Sequence, residues 1–252
     1  MERTKKILII RPKIGFTLGG AESHAAEVAV RLLSKGFKVG LIAQKIAFPK
    51  EYEHKFEFYP VSGIAFGSVF KQIFFIEKVK SLLPKIKYDY LISFFRIPEA
   101  DLFILCDPLF AFLIRQKNPF LWKLRPRYQI LLHLEKKAIL TAKRIISIFT
   151  LGKTLISQYY PQALPKVSVC YRGIDLNKFN YKLKEEKINL RKELGFKKDD
   201  FLILFVGYDV KRKGLPLLLE IMPELPKKVK LLIAGKEGRS EDNVYYLGKV
   251  RE

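Results

Sequence analysis

The chain has 252 residues and carries 47 lysines and arginines against 25 aspartates and glutamates, a formal net charge of +22. That length can hold one large domain or two medium ones around a real core, and the charge favours anionic partners: nucleic acid, acidic lipid, lipopolysaccharide or a phosphorylated small molecule. Cys106 and Cys170 stand alone, match neither C-x-x-C nor a zinc spacing, and are expected to be reduced packing residues of a cytosolic protein, which excludes a disulfide scaffold. No apolar run reaches the length of a membrane span, and Ile7 to Ile10 are too few for a signal-peptide core.

Ile7-Leu8-Ile9-Ile10 reads as a buried strand, followed by a loop with Pro12, Gly15, Gly19 and Gly20. A helix is predicted over residues 21–35, because Ala25, Val28, Ala29, Leu32 and Leu33 recur at helical spacing and Gly36 closes it. Residues 37–43 form the next strand, and such a β-loop-α-β unit implies a parallel sheet with right-handed crossovers. Residues 56–61 read as a strand, and 69–83 as a helix with Phe70, Ile73, Phe74, Ile76 and Val79 as its apolar positions. Buried strands follow at 90–95 and 101–106, then a helix over 128–142, a strand at 144–149, a short helix at 153–160 stopped by Pro161, and a strand at 167–171. These complete a first domain, residues 1–175. The highly charged stretch 178–198 opens a second, residues 176–252, with strands at 201–206, 230–234 and 244–247 and a helix at 214–223. The run Phe201-Leu202-Ile203-Leu204-Phe205-Val206 has the pattern of a parallel strand buried on both faces.

The charge is uneven. Residues 108–144 carry nine lysines and arginines against Glu135 alone, interleaved with Phe110, Phe112, Phe120, Trp122 and Tyr128. Cations interleaved with aromatics suit an anionic membrane surface or nucleic acid. The bland alternative puts the aromatics in the core with the cations solvating the outside. The nucleic-acid reading rests on charge only. Arg115, Lys117, Trp122, Lys123, Arg125 and Arg127 are the membrane-facing candidates.

Phe205-Val206-Gly207 runs through Lys211-Arg212-Lys213-Gly214 into a helix with Pro216 in its first turn. Unpaired N–H groups of that turn, the helix dipole and the three cations are expected to converge on one place, which suits a phosphate or diphosphate. A solvated basic loop is the alternative. Gly19-Gly20-Ala21-Glu22 lies between a strand and a helix, at the edge where open α/β sheets bind ligands. His24 opens the helix that follows, and Asp107 follows a strand whose carboxyl end can reach the same cleft. G-x-G-x-x-G is absent, and Gly152-Lys153-Thr154 imitates the end of a Walker A loop without the glycines that cradle phosphates. His24, His54 and His133 show no metal-ligand spacing and no D-x-D pair is present, so no metal site is expected.

Gly19-Gly20-Ala21-Glu22 with Lys35-Gly36-Phe37-Lys38-Val39 resembles the opening "G-G-x-E … x-G-H-x-V" of family 4 glycosyltransferases. Val169-Cys170-Tyr171-Arg172-Gly173-Ile174-Asp175 with Phe179 is similar to that family's interdomain "V-x-P-x-G-I/V-D-x-x-x-F", with Tyr171 in place of the proline. Leu190-Arg191-Lys192-Glu193-Leu194-Gly195, Phe205-Val206-Gly207 and Lys213-Gly214 resemble its donor-side segment, with Tyr208 in place of the usual arginine. Within the family the chain looks most like the heptose α-glucosyltransferases of lipopolysaccharide core assembly, which share the ending Arg212-Lys213-Gly214.

The resemblance implies a GT-B-like α/β fold: a complete N-terminal Rossmann-like domain on the acceptor side and the first β-α-β portion of a second, nucleotide-sugar-binding one. It implies retaining, metal-independent transfer of a sugar from a nucleotide diphosphate donor to a lipopolysaccharide or other glycan acceptor, with no cofactor. Gly207, Arg212 and Lys213 would hold the donor diphosphate, with Gly19 and Gly20 facing it. Glu22, His24, Asp107 and Arg172 are the acceptor or cleft candidates. The basic aromatic segment would rest on the inner face of the cytoplasmic membrane beside the glycolipid acceptor. The family continues past the last residue here into an E-x7-E segment. The expectation is therefore a truncated enzyme or, as the alternative, a non-catalytic binding half that works with a separate C-terminal chain.

Overall fold

A computed structural model describes residues 4–250 other than Glu53, 64–66, 118–120, Lys178, Glu185, Tyr208, Arg212 and Lys249, and only the backbone of Ser68, Leu121, Trp122 and Leu183. The chain divides into two units, Met1–Gly173 and Ile174–Glu252.

The first unit begins with β1 (Lys6–Ile10), β2 (Lys13–Gly15), α1 (Gly20–Ser34), β3 (Lys38–Ala43), β4 (Lys45–Ala47) and β5 (Glu57–Pro60). It continues through α2 (Ser68–Leu82), β6 (Tyr90–Ser93), β7 (Leu102–Leu105), α3 (Phe110–Lys117), α4 (Pro126–Thr141), β8 (Arg144–Ser147), α5 (Thr150–Tyr159) and β9 (Val167–Val169). Seven strands make one parallel sheet in the order β5-β3-β1-β6-β7-β8-β9, and β2 pairs with β4 beside it. Because strand side chains alternate, β1 buries Ile7 and Ile9 against Ala25, Ala26 and Ala29 of α1, and Leu8 and Ile10 against Phe75, Ile76 and Val79 of α2. Each such side chain contributes about 1.5–3 kcal/mol on burial, so β1 is the anchor of both layers. A third cluster sets Leu105, Leu109, Ile139, Leu155 and Ile156 between β7, β8 and helices α3 to α5.

The second unit holds α6 (Lys187–Glu193), β10 (Phe201–Val206), α7 (Leu215–Ile221), β11 (Val229–Ala234) and β12 (Val244–Gly248). Its three strands run parallel in the order β10-β11-β12, with Phe205, Leu231 and Ile233 packed against Leu215 and Met222.

Three expectations are corrected and one element is added. Strand β10 is buried on one face only: Leu204 and Val206 are 62% and 60% exposed, because β10 is an edge strand and α7 covers only the side of Phe205. Phe70 is 66% exposed, since the buried stripe of α2 runs through Val69, Ile76 and Val79, roughly 100° to 180° around the helix from it. Cys170 is exposed rather than packed, whereas Cys106 is half-buried, and both are free. Residues 110–117, to which the sequence reading assigned no element, form α3, whose Ala111 and Ile114 face the core.

Candidate functional site

Strands β1, β6 and β7 lie side by side, so their carboxyl ends bring three loops to one edge, where parallel sheets place ligands. Arg11 follows β1. Its Nη1 donates to the Phe94 carbonyl beyond β6 at 2.8 Å, while Nη2 and Nε donate to Glu22 Oε1 in the first turn of α1 at 3.0 and 3.3 Å. The half-buried pair ties the loop before α1 to the strand end. At Gly19 a Cβ would lie 2.6 Å from Glu22 Oε2, so that glycine makes room for the pair; at Gly20 a Cβ would meet nothing within 4 Å, leaving open space above the backbone.

Arg172, shortly after β9, binds the same helix start. Its Nη1 donates to the Gly20 carbonyl at 3.1 Å, Nη2 to Ser23 Oγ at 3.1 Å and Nε to Glu27 Oε2 at 3.2 Å, and Nη2 also pairs with Glu27 Oε1. The fork geometry of the guanidinium is what lets it hold a carboxylate and two backbone-adjacent oxygens together.

His24 packs edge-on to Phe94 at 5.4 Å, with Nδ1 3.7 Å from Cys106 Sγ. Burial, then the nearby Arg172 charge, lowers the His24 pKa, and burial pushes the Cys106 thiol up to about 11. Burial thus favours the uncharged form of both side chains. Next to Cys106, Asp107 is exposed and lines a recess of about 120 Å³ with Arg11, Arg96 and Glu135. Glu22, His24, Asp107 and Arg172, scattered over residues 22–172, therefore gather at one edge.

Arg11 and Arg96 were not singled out from sequence. The signal was available for Arg11, which directly follows a buried strand just as Asp107 does. Arg96 donates to Gln72 Oε1 at 3.2 Å and sits 3.7 Å from Glu135, pairings between distant segments that no local pattern announces.

In the second unit, Gly207 follows β10 and donates to the Ala234 carbonyl at 2.9 Å. A Cβ there would lie 2.5 Å from Lys213 Cδ, so only glycine lets the lysine chain cross the backbone. Lys213 Nζ donates to the Val206 carbonyl at 3.0 Å, which puts an exposed ammonium at the carboxyl end of the strand. Gly235, at φ +101°, packs as closely: a Cβ would be 2.8 Å from the Gly207 oxygen. The expected nest of unpaired first-turn N–H groups is not found. The amides of Lys213, Gly214, Leu215 and Leu217 donate to Asp209, Lys211, Val210 and Gly214 oxygens at 2.9–3.3 Å, and Pro216 has none. The tight turn consumes its own donors, so the charge at this strand end is carried by side chains. Arg212 lies outside the described residues.

Arg115 and Lys117 are exposed near the end of α3, while Lys123, Arg125 and Arg127 are exposed around the start of α4, with Leu124 78% exposed among them. Only the backbone of Trp122 is described, and Phe120 lies outside the described residues. The aromatics divide: Phe112 packs against the core, while Tyr128 stacks under Arg125 and Arg127 at 5.7 and 4.9 Å. Glu135 is only 4% exposed, so the single carboxylate of the segment does not reach its surface. Gly152 is inside α5, where a Cβ would fall 2.1 Å from Ser147 Oγ; the Walker-like triplet is a packing feature. Among the described residues no helix is long and apolar enough to cross a membrane, and no group of three His, Cys, Asp or Glu side chains gathers as a metal site.

Residues 186–249 match the family of glycosyl transferases group 1. The chain is 36% identical over 110 residues to the uncharacterized glycosyltransferase MJ1607 of Methanocaldococcus jannaschii, covering 40% of this chain and 28% of that protein. It is 20% identical over 229 residues to the lipopolysaccharide glucosyltransferase WaaG of Escherichia coli, covering 88% of this chain and 61% of that protein. The chain thus spans from about a quarter to three fifths of the length of these curated relatives. The crystal structure of WaaG, a glycosyltransferase involved in lipopolysaccharide biosynthesis, superposes with a TM-score of 0.82 at 18% identity, covering 97% of this chain and 70% of that one. Anabaena HepE in complex with UDP-glucose gives 0.65 at 17% identity, covering 98% and 70%. Residues 186–249 thus match glycosyl transferases group 1, in a chain whose α/β fold is that of GT-B glycosyltransferases and is similar to WaaG.

Proposed function

We propose that the chain is the binding core of a retaining, metal-independent glycosyltransferase that moves a sugar from a nucleotide diphosphate donor to a lipopolysaccharide or other glycan acceptor. The observation that carries this is the Lys213 ammonium crossing Gly207 at the end of β10, within the segment matched by the family. A cation fixed at a strand end stabilises the negative charge that develops on a leaving diphosphate. Arg212, its neighbour in sequence, acts with it; Gly19 and Gly20 of the first unit are the other donor-side candidates, and of the two Gly20 has open space over its backbone. Glu22, His24, Asp107 and Arg172 form the acceptor side, where Asp107 is the carboxylate placed to hold an acceptor hydroxyl. Metal independence draws on the lack of any D-x-D pair. The exposed cations and Leu124 around the start of α4 support a peripheral position on an anionic membrane, on its cytoplasmic face.

Calorimetric titration with UDP tests the reading, because the solved relative HepE holds UDP-glucose. Lys213→Ala is expected to weaken UDP binding about tenfold, with the circular dichroism spectrum unchanged. Equal affinity in wild type and variant overturns the donor site. Transfer or hydrolysis of UDP-glucose is expected to survive chelation by EDTA, and its loss overturns metal independence. A second reading, a binding half completed by a separate C-terminal chain, draws on the exposed Leu204 and Val206 face of the small sheet. Turnover by the 252-residue chain alone would dismiss it.

A further inference from the structure

One groove of the first unit stands apart from the sheet edge. Gln129, Leu132, His133 and Lys136 recur at i, i+3, i+4 and i+7 on α4, so they share a face. Together with Arg115 of α3 and Tyr159 and Tyr160 around the end of α5 they line a groove of about 470 Å³. The Arg115 guanidinium lies over the Tyr159 ring at 4.6 Å, which holds its fork at the rim. The buried Tyr160 turns its hydroxyl inward and donates to Glu135 Oε1 at 3.0 Å, so its ring forms the wall. Glu135 also accepts from the amides of Phe110 and Ala111 and lies 3.7 Å from Arg96, and those partners keep it inside. It is the only carboxylate in residues 108–174, against twelve lysines and arginines, and none lines the groove among the described residues.

We propose that this groove binds a phosphate monoester, presented by a lipid headgroup or by a free phosphorylated molecule. An arginine fork, an ammonium and an imidazole line the groove, while the Gln129 amide nitrogen already donates to the Lys123 carbonyl at 3.1 Å, and these cationic and polar donors match a group whose three terminal oxygens share nearly two charges better than a neutral sugar. A phosphate diester, with one charge and two free oxygens, uses fewer of them. The site stands on its own geometry; the lipid-headgroup source rests on the membrane reading above.

The test compares the full chain with two variants, Arg115→Gln/Lys136→Gln in the groove and Lys123→Gln/Arg125→Gln outside it. Each is sedimented with phosphatidylcholine vesicles containing phosphatidic acid, a monoester, or phosphatidylglycerol, a diester, at matched surface charge. The His133 ring resonances are followed by NMR as inorganic phosphate is added. Saturable His133 shifts that vanish in the groove variant support the site. A preference for phosphatidic acid that falls on the order of tenfold in the groove variant, while the outer variant weakens on both lipids alike, assigns the source to a headgroup. Phosphate shifts without any vesicle binding assign it to a free phosphate ester, keeping the site and sinking the membrane reading. Vesicle binding with neither lipid preference nor shifts overturns the groove and leaves the membrane reading standing. The absence of both vesicle binding and shifts overturns the groove and the membrane reading together.

Discussion

At the carboxyl edge of the seven-stranded sheet, side chains of opposite charge from distant segments hold the loops: Arg11 reaches Glu22, and Arg172 reaches back to Glu27 across 145 residues. At the edge of the three-stranded sheet the same task falls to glycines and one lysine within a few dozen residues, Gly207 and Gly235 in backbone contact and Lys213 laid over Gly207. At the first edge the paired charges satisfy one another. The second keeps an exposed cation that, among the described residues, is anchored on the Val206 carbonyl. The two strand-end arrangements are thus built by different means on similar parallel sheets.

Breaking the first unit from within has the largest expected effect. Glu135→Ala removes the acceptor of the Phe110 and Ala111 amides and the Tyr160 hydroxyl and leaves Arg96 facing a void. The expected loss is about 3–5 kcal/mol in urea denaturation. Hydrogen exchange should rise in α3 to α5 while the β10–β11 amides of the second unit keep their protection. The complementary break is Gly235→Ala, where a left-handed backbone and a 2.8 Å approach to the Gly207 oxygen must both be relieved. It should cost about 1–3 kcal/mol, read by the same method, with the exchange increase confined to the second unit.

A double-mutant cycle on Arg172→Ala and Glu27→Ala sharpens how much the first edge owes to its outer ion pair. Both side chains are about a third exposed, so a coupling of about 0.5–1 kcal/mol is expected, falling with added salt. The smallest effect concerns His24. Burial and Arg172 lower its pKa, so the unfolded chain binds the proton more tightly. The neutral imidazole therefore stabilises the fold fully above the ordinary histidine value of about 6.5, and that contribution is lost as pH falls through the interval below it. Melting temperature should drop less between pH 7.5 and 5.5 in His24→Gln than in wild type, and parallel curves would show that His24 carries no such linkage.

The strands were legible because their information is local. Ile7 to Ile10, Leu102 to Leu105 and Leu231 to Ala234 are apolar runs that bury themselves as strands, and Gly36 and Pro161 follow the ends of α1 and α5. Helix α3 escaped because Phe110 to Lys117 is too short for its two inward positions to show a period, and α2 misled because Phe70 obeys the composition but not the stripe.

By itself the sequence determined the parallel α/β character, the two-part division of texture, the basic surface and the order of the three glycine-bearing motifs, since each follows from side-chain period, turn chemistry or charge within a short window. Only the tertiary structure decided that Glu135 turns inward, that Arg11 and Arg172 close on one helix start, and that the turn after β10 spends its own amides so that Lys213 presents the charge. Those outcomes depend on which distant groups meet and which hydrogen bonds are already taken, and pairing across a hundred residues leaves no period along the chain.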